Sequence, residues 1–233
     1  MATDVAYTPE ESRLASYLNI LAAILLVTGF ILLLAPFVFR DAPLFIAPPF
    51  FFTNTIAGLW LLAFLAWNSA ADVRRYRPMI GVLVGGFLIG TIAFMSMAVG
   101  LPAGLQEAPL LLGFGLCAAG ALVTTMFTRQ AKTTAPPWLP WTTDKPISTW
   151  ERIAQLIFGL FGLASLGAAA GSILTPFVTV APLADFLVNP FMVAGSAVKI
   201  GVLGLCALLV AADVRRFTHH VQMITALVIG HAG

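Results

Sequence analysis

The apolar positions of this chain fall in long unbroken runs rather than in alternation, each bounded by charged or proline-rich segments. Such runs predict membrane-crossing helices, because a hydrocarbon core of about 30 Å takes about 20 helical residues and offers no water to unpaired backbone groups. The pattern places them at Leu14 to Val38, Phe50 to Ala70, Met79 to Val99, Leu110 to Phe127, Ile153 to Val178 and Phe191 to Val210. A seventh starts near Thr218 and reaches Gly233. The expected fold class is all-α, a polytopic membrane bundle of about seven helices.

The pattern also repeats itself. Ala70-Ala71-Asp72-Val73-Arg74-Arg75-Tyr76 recurs as Ala211-Ala212-Asp213-Val214-Arg215-Arg216-Phe217, identical at six of seven positions. At a shift of 140 residues, Thr8 and Glu11 fall on Ser148 and Glu151, the hydroxyl and carboxylate of two capping boxes. Pro36-Phe37-Val38 falls on Pro176-Phe177-Val178, and with one inserted residue Pro49-Phe50 falls on Pro190-Phe191. This predicts a tandem duplication of a four-helix unit. An even number of helices makes the copies parallel, related about an axis along the membrane normal. The expected organisation is a first repeat at 1–128, a linker at 129–149 containing Pro136-Pro137-Trp138-Leu139-Pro140-Trp141, and a second repeat at 150–233. That second copy is expected to be incomplete, with three helical runs and no counterpart of the fourth helix.

Composition agrees. Hydrophobic residues make up 60% of the chain and charged residues 9%, with a mean hydropathy of +0.97, against about 25% charged in soluble domains. A net charge of +2 gives no reason to expect a nucleic-acid partner. The distribution of charge is more telling. If helices alternate, one side receives Arg13, Arg74, Arg75, Arg77, Arg129, Lys132, Lys145, Arg152, Arg215 and Arg216, and the other only Arg40, with Lys199 inside a run. The positive-inside rule then puts the N-terminus and both heptads in the cytoplasm, in what is expected to be a bacterial cytoplasmic membrane. Asp4, Glu10 and Glu11 are unlike the basic start of a secretory signal, so the first run is expected to be retained.

Candidate chemistry is sparse. Lys199 stands about 13 Å inside its helix, nine residues after Pro190. An ionisable residue at that depth marks a functional site by default, since it costs about 2.5–3.5 kcal/mol on insertion scales. It is the expected ligand-binding residue, with Asp185 as a companion, and its counterpart in the first repeat is Gly58. The bland alternative is a lysine that snorkels to the outer interface, toward Asp185 or carbonyls near Pro190. In the heptads, Asp72, Arg74, Arg75, Asp213, Arg215 and Arg216 read as a headgroup site or as local ion pairs, Asp72 with Arg75 and Asp213 with Arg216. His219, His220 and His231 lie too far apart along a helix to share one iron, Cys117 and Cys206 read as packing residues, and no metal site is expected. Gly81, Gly85, Gly86, Gly90, Gly159, Gly167 and Gly171 are expected where helices touch. The apolar segments at 41–52 and 181–190 read as interfacial stretches able to meet a lipid, a quinone or a neighbouring subunit.

No Walker loop, nucleophile elbow or metalloprotease motif is present, and the acidic residues fall outside the apolar runs. The expected function is therefore non-enzymatic and without an obligatory cofactor: an accessory or structural subunit of a larger membrane complex, in contact with lipids and other membrane subunits. The alternative is a carrier or binding protein for a small apolar or anionic molecule or lipid, with Lys199 at the site; bound lipid or quinone fits either.

Overall fold

The computed structural model describes residues 7–38, 49–100, 107–131, 146–178, 189–215 and 217. The chain enters its first helix, α1 (Pro9–Val38), through a capping box. The Glu11 amide donates to Thr8 Oγ1 and the Thr8 amide donates to Glu11 Oε2, which satisfies two of the free N–H groups of the first turn. Ser148 and Glu151 close the same reciprocal box at the start of α5 (Thr149–Leu174). Between them lie α2 (Pro49–Ala71), α3 (Arg77–Gly100) and α4 (Glu107–Gln130). A single 3-10 turn at Thr175–Phe177 follows α5, and α6 (Pro190–Ala212) ends the described helices. The seventh apolar run lies outside the described residues.

Among the described residues the fold is helical, and five helices are long and apolar enough to cross a membrane: α1, α3, α4, α5 continued through its 3-10 turn, and α6. The α2 helix is 23 residues long, like α6, but carries Asn54 and Asn68 along its length. Helix ends extend beyond the apolar runs. Arg77 opens α3 and reaches the Ala131 and Thr128 carbonyls at the close of α4, where a cation meets the negative end of the helix dipole.

The helices pack as three hairpins, α1 with α2, α3 with α4, and α5 with α6. The α6 helix is central, enclosed by α5, α3 and α2. Its buried residues lie all round its circumference, Lys199 among them, whereas α1 and α5 expose rows of Ile, Leu and Phe on the side away from the core. A helix apolar on every face belongs at the centre of a bundle. The α3 helix lies against α6 more extensively than against its neighbour α2, so the two parts of the chain interlock.

Close approach depends on particular glycines. A Cβ added at Gly162 would stand 2.9 Å from the Gly204 carbonyl oxygen, and one at Gly204 equally close to that of Gly162, so α5 and α6 meet backbone to backbone. Gly85, Gly86 and Gly90 also face neighbouring side chains, as expected from the sequence. Gly81, Gly167 and Gly171 meet nothing within 4 Å, and Gly159 only Ala211 Cβ at 3.9 Å. The expectation that Gly81, Gly167 and Gly171 mark helix contacts is corrected: in α5 the contact face passes through Gly159 and Gly162, and Gly167 and Gly171 fall on the opposite side.

Candidate functional site

Two features stand out within the bundle, and both lie along the seam between α2 and α6. The first is polar. Lys199 is 2% exposed and Asn54 is 0% exposed, and Lys199 Nζ donates to Asn54 Oδ1 at 2.7 Å. The lysine thus leans about one turn toward the N-terminal end of α2, and its side chain is buried inside the bundle. Close packing on α2 sets this course: at Gly58 an added Cβ would lie 3.1 Å from Lys199 Cβ and 3.4 Å from its Cα. With no side chain at Gly58, the lysine stem lies flat on α2 and its amine reaches the amide four residues earlier. Asp185 lies outside the described residues.

Other polar groups share this seam. Thr55 Oγ1 donates to the Met192 carbonyl at 3.0 Å, and Gly195 admits Thr55, whose Cγ2 and Oγ1 lie 2.5 Å from where a Cβ would stand. Asn54 Nδ2 and Ser196 Oγ are buried with no hydrogen-bond partner among the described residues.

The second feature is an apolar cavity of about 230 Å³ bounded by α1, α2, α3, α4 and α6. Thr55, Gly58 and Gly195 form its floor on the seam, and Phe87, Phe94 and Cys117 contribute its inner wall. Ile24 and Leu116 also line it while being 57% and 64% exposed on the outside of the bundle. The cavity therefore opens sideways, between α1 and α4. Tyr17 holds these two helices together nearby, its hydroxyl 2.9 Å from Thr124 Oγ1 and its ring stacked on Phe127 at 4.7 Å.

The heptads form a separate, charged end. Arg74 makes a two-pronged contact with Glu11, Nε to Oε1 at 2.7 Å and an Nη to Oε2 at 2.6 Å. Arg215 does the same with Glu151 at 2.6 and 2.9 Å. These contacts hold both guanidinium groups above their ordinary pKa. Glu11 is 1% exposed, whereas the Glu151 side chain is 26% exposed. The ion pairs thus join each heptad to the capping box that opens the preceding helix, a link sequence reasoning missed. The Asp72 to Arg75 pairing expected within the heptad is corrected: Asp72 Oδ1 accepts the Arg74 and Arg75 amides, and the Arg75 guanidinium lies 5.5 Å from the Tyr76 ring centroid. The Tyr76 amide donates to the Asp72 carbonyl, and the Phe217 amide to that of Asp213, so both heptads close the same turn. Asp213 also caps α6 through its amide. Arg216 lies outside the described residues.

Asn54, Ser196, Glu11 and Glu151 were the functional or organising residues not singled out as site members from sequence. A signal for Asn54 existed. It lies four residues before Gly58, the counterpart of Lys199, on the same helix face.

Among the described residues no group of three or more metal-ligating side chains converges. Comparison of the chain with family models, curated proteins and solved structures finds no match. Among the described residues the protein is helical throughout, and its five long apolar helices with apolar exteriors point to the class of membrane-integral helical proteins.

Proposed function

We propose that this is a non-enzymatic binding or carrier protein that takes a small apolar molecule or a lipid chain from the bilayer into its bundle. The carrying observation is the cavity of about 230 Å³ with its mouth between Ile24 and Leu116. A pocket below the roughly 300–1,000 Å³ of drug-sized sites suits a single chain or a small ring, and a lateral mouth admits what is dissolved in hydrocarbon. A quinone tail or an acyl chain has that chemistry.

The same reading makes the protein a tandem duplication, with the apolar run after Thr218 as a seventh helix and the heptads on the cytoplasmic side of a bacterial membrane. Matching contacts support the duplication. Gly29 packs on Trp60, and their counterparts Ala169 and Gly201 also pack together; the Glu11–Arg74 and Glu151–Arg215 pairs correspond in the same way.

A second reading, an accessory subunit of a larger complex, is favoured by the outer face of α5. Ala164, Gly167, Ala168 and Gly171 are exposed there at helical spacing, a small-residue surface on which another helix can approach closely.

Native mass spectrometry of gently released protein distinguishes them. The binding reading expects a stoichiometric apolar adduct on the single chain, lost when Ile24→Trp blocks the mouth. Adduct-free chains that appear only within a larger assembly favour the accessory reading instead.

A further inference from the structure

A groove of about 380 Å³ runs along the bundle between α1 and α2, lined by Asn19, Ala22, Leu26, Trp60, Phe64 and Trp67. Its described lining comes from these two helices alone, and Phe64 and Trp67 are 37% and 64% exposed in it. The repeat gives this surface a counterpart. Adding 140 within α1 and 141 within α2 turns Ala22, Leu26, Trp60 and Phe64 into Gly162, Leu166, Gly201 and Leu205, all on the α5–α6 hairpin. There the surface is covered by α3. Ile89 Cδ1 lies 2.7 Å from where a Gly201 Cβ would stand, and Leu205 Cδ1 equally close to a Cβ added at Gly85. Farther along, Ser96 donates to the Ile173 carbonyl, and Gly100 packs on Pro176 and Phe177 beyond the end of α5. A single helix thus crosses the α5–α6 groove.

The sequence counterpart of α3 is the apolar run after Thr218. The α3 helix follows the first heptad and this run follows the second, and the Tyr76 and Phe217 amides close the same turn in both. Where α3 carries Gly85, Ile89 and Gly90, the run carries Ala226, Gly230 and His231. The residues they oppose change to match. Ile89 over Gly201 becomes Gly230 over Trp60, and Gly90 beside Val198 becomes His231 beside Ala57, so the larger side chain passes to the other helix each time. Gly85 beside Leu205 becomes Ala226 beside Phe64, small against large in both halves. Paired changes of size are what a close-packed contact requires, because either change alone leaves a void or a clash.

We infer that the segment 218–233 of this chain is the occupant of the α1–α2 groove, crossing it as α3 crosses the α5–α6 groove, with Gly230 on the Trp60 ring and Ala226 on Phe64. This rests on the duplication proposed above and goes beyond it by giving the seventh run a docking surface. Lipid gives helices little hydrophobic reason to associate, so small residues such as Ala226 and Gly230 are what let a backbone approach broad aromatic rings. Leu227 takes the place of Gly86 opposite Leu61 with neither side reduced, so the segment stands farther from α2 there than α3 does from α6. The first half then closes its aromatic groove with its own chain, and the mouth between Ile24 and Leu116 remains the lateral entrance to the apolar cavity.

The test is oxidative cross-linking of the full chain in native membranes, with Cys117 and Cys206 replaced by alanine. Gly85→Cys with Leu205→Cys is the reference pair, since those positions already touch. Ala226→Cys with Phe64→Cys is expected to bridge within one chain at a comparable rate. Ala226→Cys with Gly167→Cys, on the outer face of α5, is expected not to bridge. A bridge between chains at Ala226→Cys and Phe64→Cys puts a second copy in the groove and overturns the inference, as does a faster bridge to Gly167→Cys. Absence of any bridge to Ala226→Cys also overturns it, and a water-soluble maleimide then separates two failures. A shielded thiol leaves a seventh membrane helix docked elsewhere, whereas a labelled one removes the seventh helix as well. Size exchange gives a second measurement. Gly230→Ile is expected to lower the unfolding midpoint, and Gly230→Ile with Trp60→Gly, which restores the pairing of Ile89 with Gly201, is expected to lose less than the sum of the single variants. Strict additivity contradicts the contact, and the cross-linking carries the test if Trp60→Gly fails to fold.

Discussion

Gly58 and Lys199 correspond between the two halves of the sequence and touch in the structure, with an added Gly58 Cβ only 3.1 Å from Lys199 Cβ. The one charged side chain of α6 lies where α6 meets α2, with the missing side chain of Gly58 making room for its stem.

Gly58→Leu is expected to force α2 from α6 and destabilise the bundle by about 1–3 kcal/mol, the usual penalty for overpacking a core. Gly58→Ala needs a shift of only a few tenths of an ångström and is expected to cost much less. Unfolding midpoints in one detergent check the difference.

Asn54→Leu removes the acceptor of a buried ammonium and is expected to cost about 1.5–3 kcal/mol, the range for a hydrogen bond to a charged group. Asn54→Asp is expected to retain or raise stability. Equal loss in both variants contradicts the direct Lys199 to Asn54 bond.

The two capping-box ion pairs should differ in worth because they differ in burial. Removing the partly exposed pair with Glu151→Gln is expected to cost less than about 1 kcal/mol. Glu11→Gln, at a carboxylate 1% exposed, is expected to cost more, short of the ~3–5 kcal/mol of a fully buried pair because the Arg74 side chain is 28% exposed. Double-mutant cycles with Arg74→Ala and Arg215→Ala measure both.

Glycines that look alike in sequence should behave oppositely. Gly162→Val meets the Gly204 carbonyl and is expected to split α5 from α6, whereas Gly167→Val meets open space and is expected to change stability by no more than about 0.5 kcal/mol. If a partner helix docks on that face, Gly167→Val dissociates the assembly without unfolding the chain. Size-exclusion and unfolding measurements on the same variants separate the effects.

Long apolar runs and capping boxes were legible because each is a local signal: hydropathy identifies a helix, and Thr8 with Glu11 or Ser148 with Glu151 marks its start. Lys199 was legible as an oddity for the same reason. Its partner was not, because which face of α6 meets α2 depends on packing between helices distant in sequence. The partners of Arg74 and Arg215 were hidden in the same way, each more than sixty residues away. Glycine spacing was misleading in α5, where Gly167 and Gly171 meet nothing while Gly162 and Ala169 lie against α6.

The seam requires α2 and α6 to meet in register at Gly58 and Lys199. Disulfide formation measures it directly, in a chain carrying Gly58→Cys and Lys199→Cys with Cys117 and Cys206 replaced by alanine. A disulfide needs Cβ atoms about 3.5–4.5 Å apart, within a small adjustment of the observed contact. Rapid intramolecular cross-linking in native membranes is expected, with little at Gly58→Cys paired with Leu203→Cys one turn away. No bridge at the first pair, or a faster one at the second, contradicts the seam and the cavity whose floor lies on it.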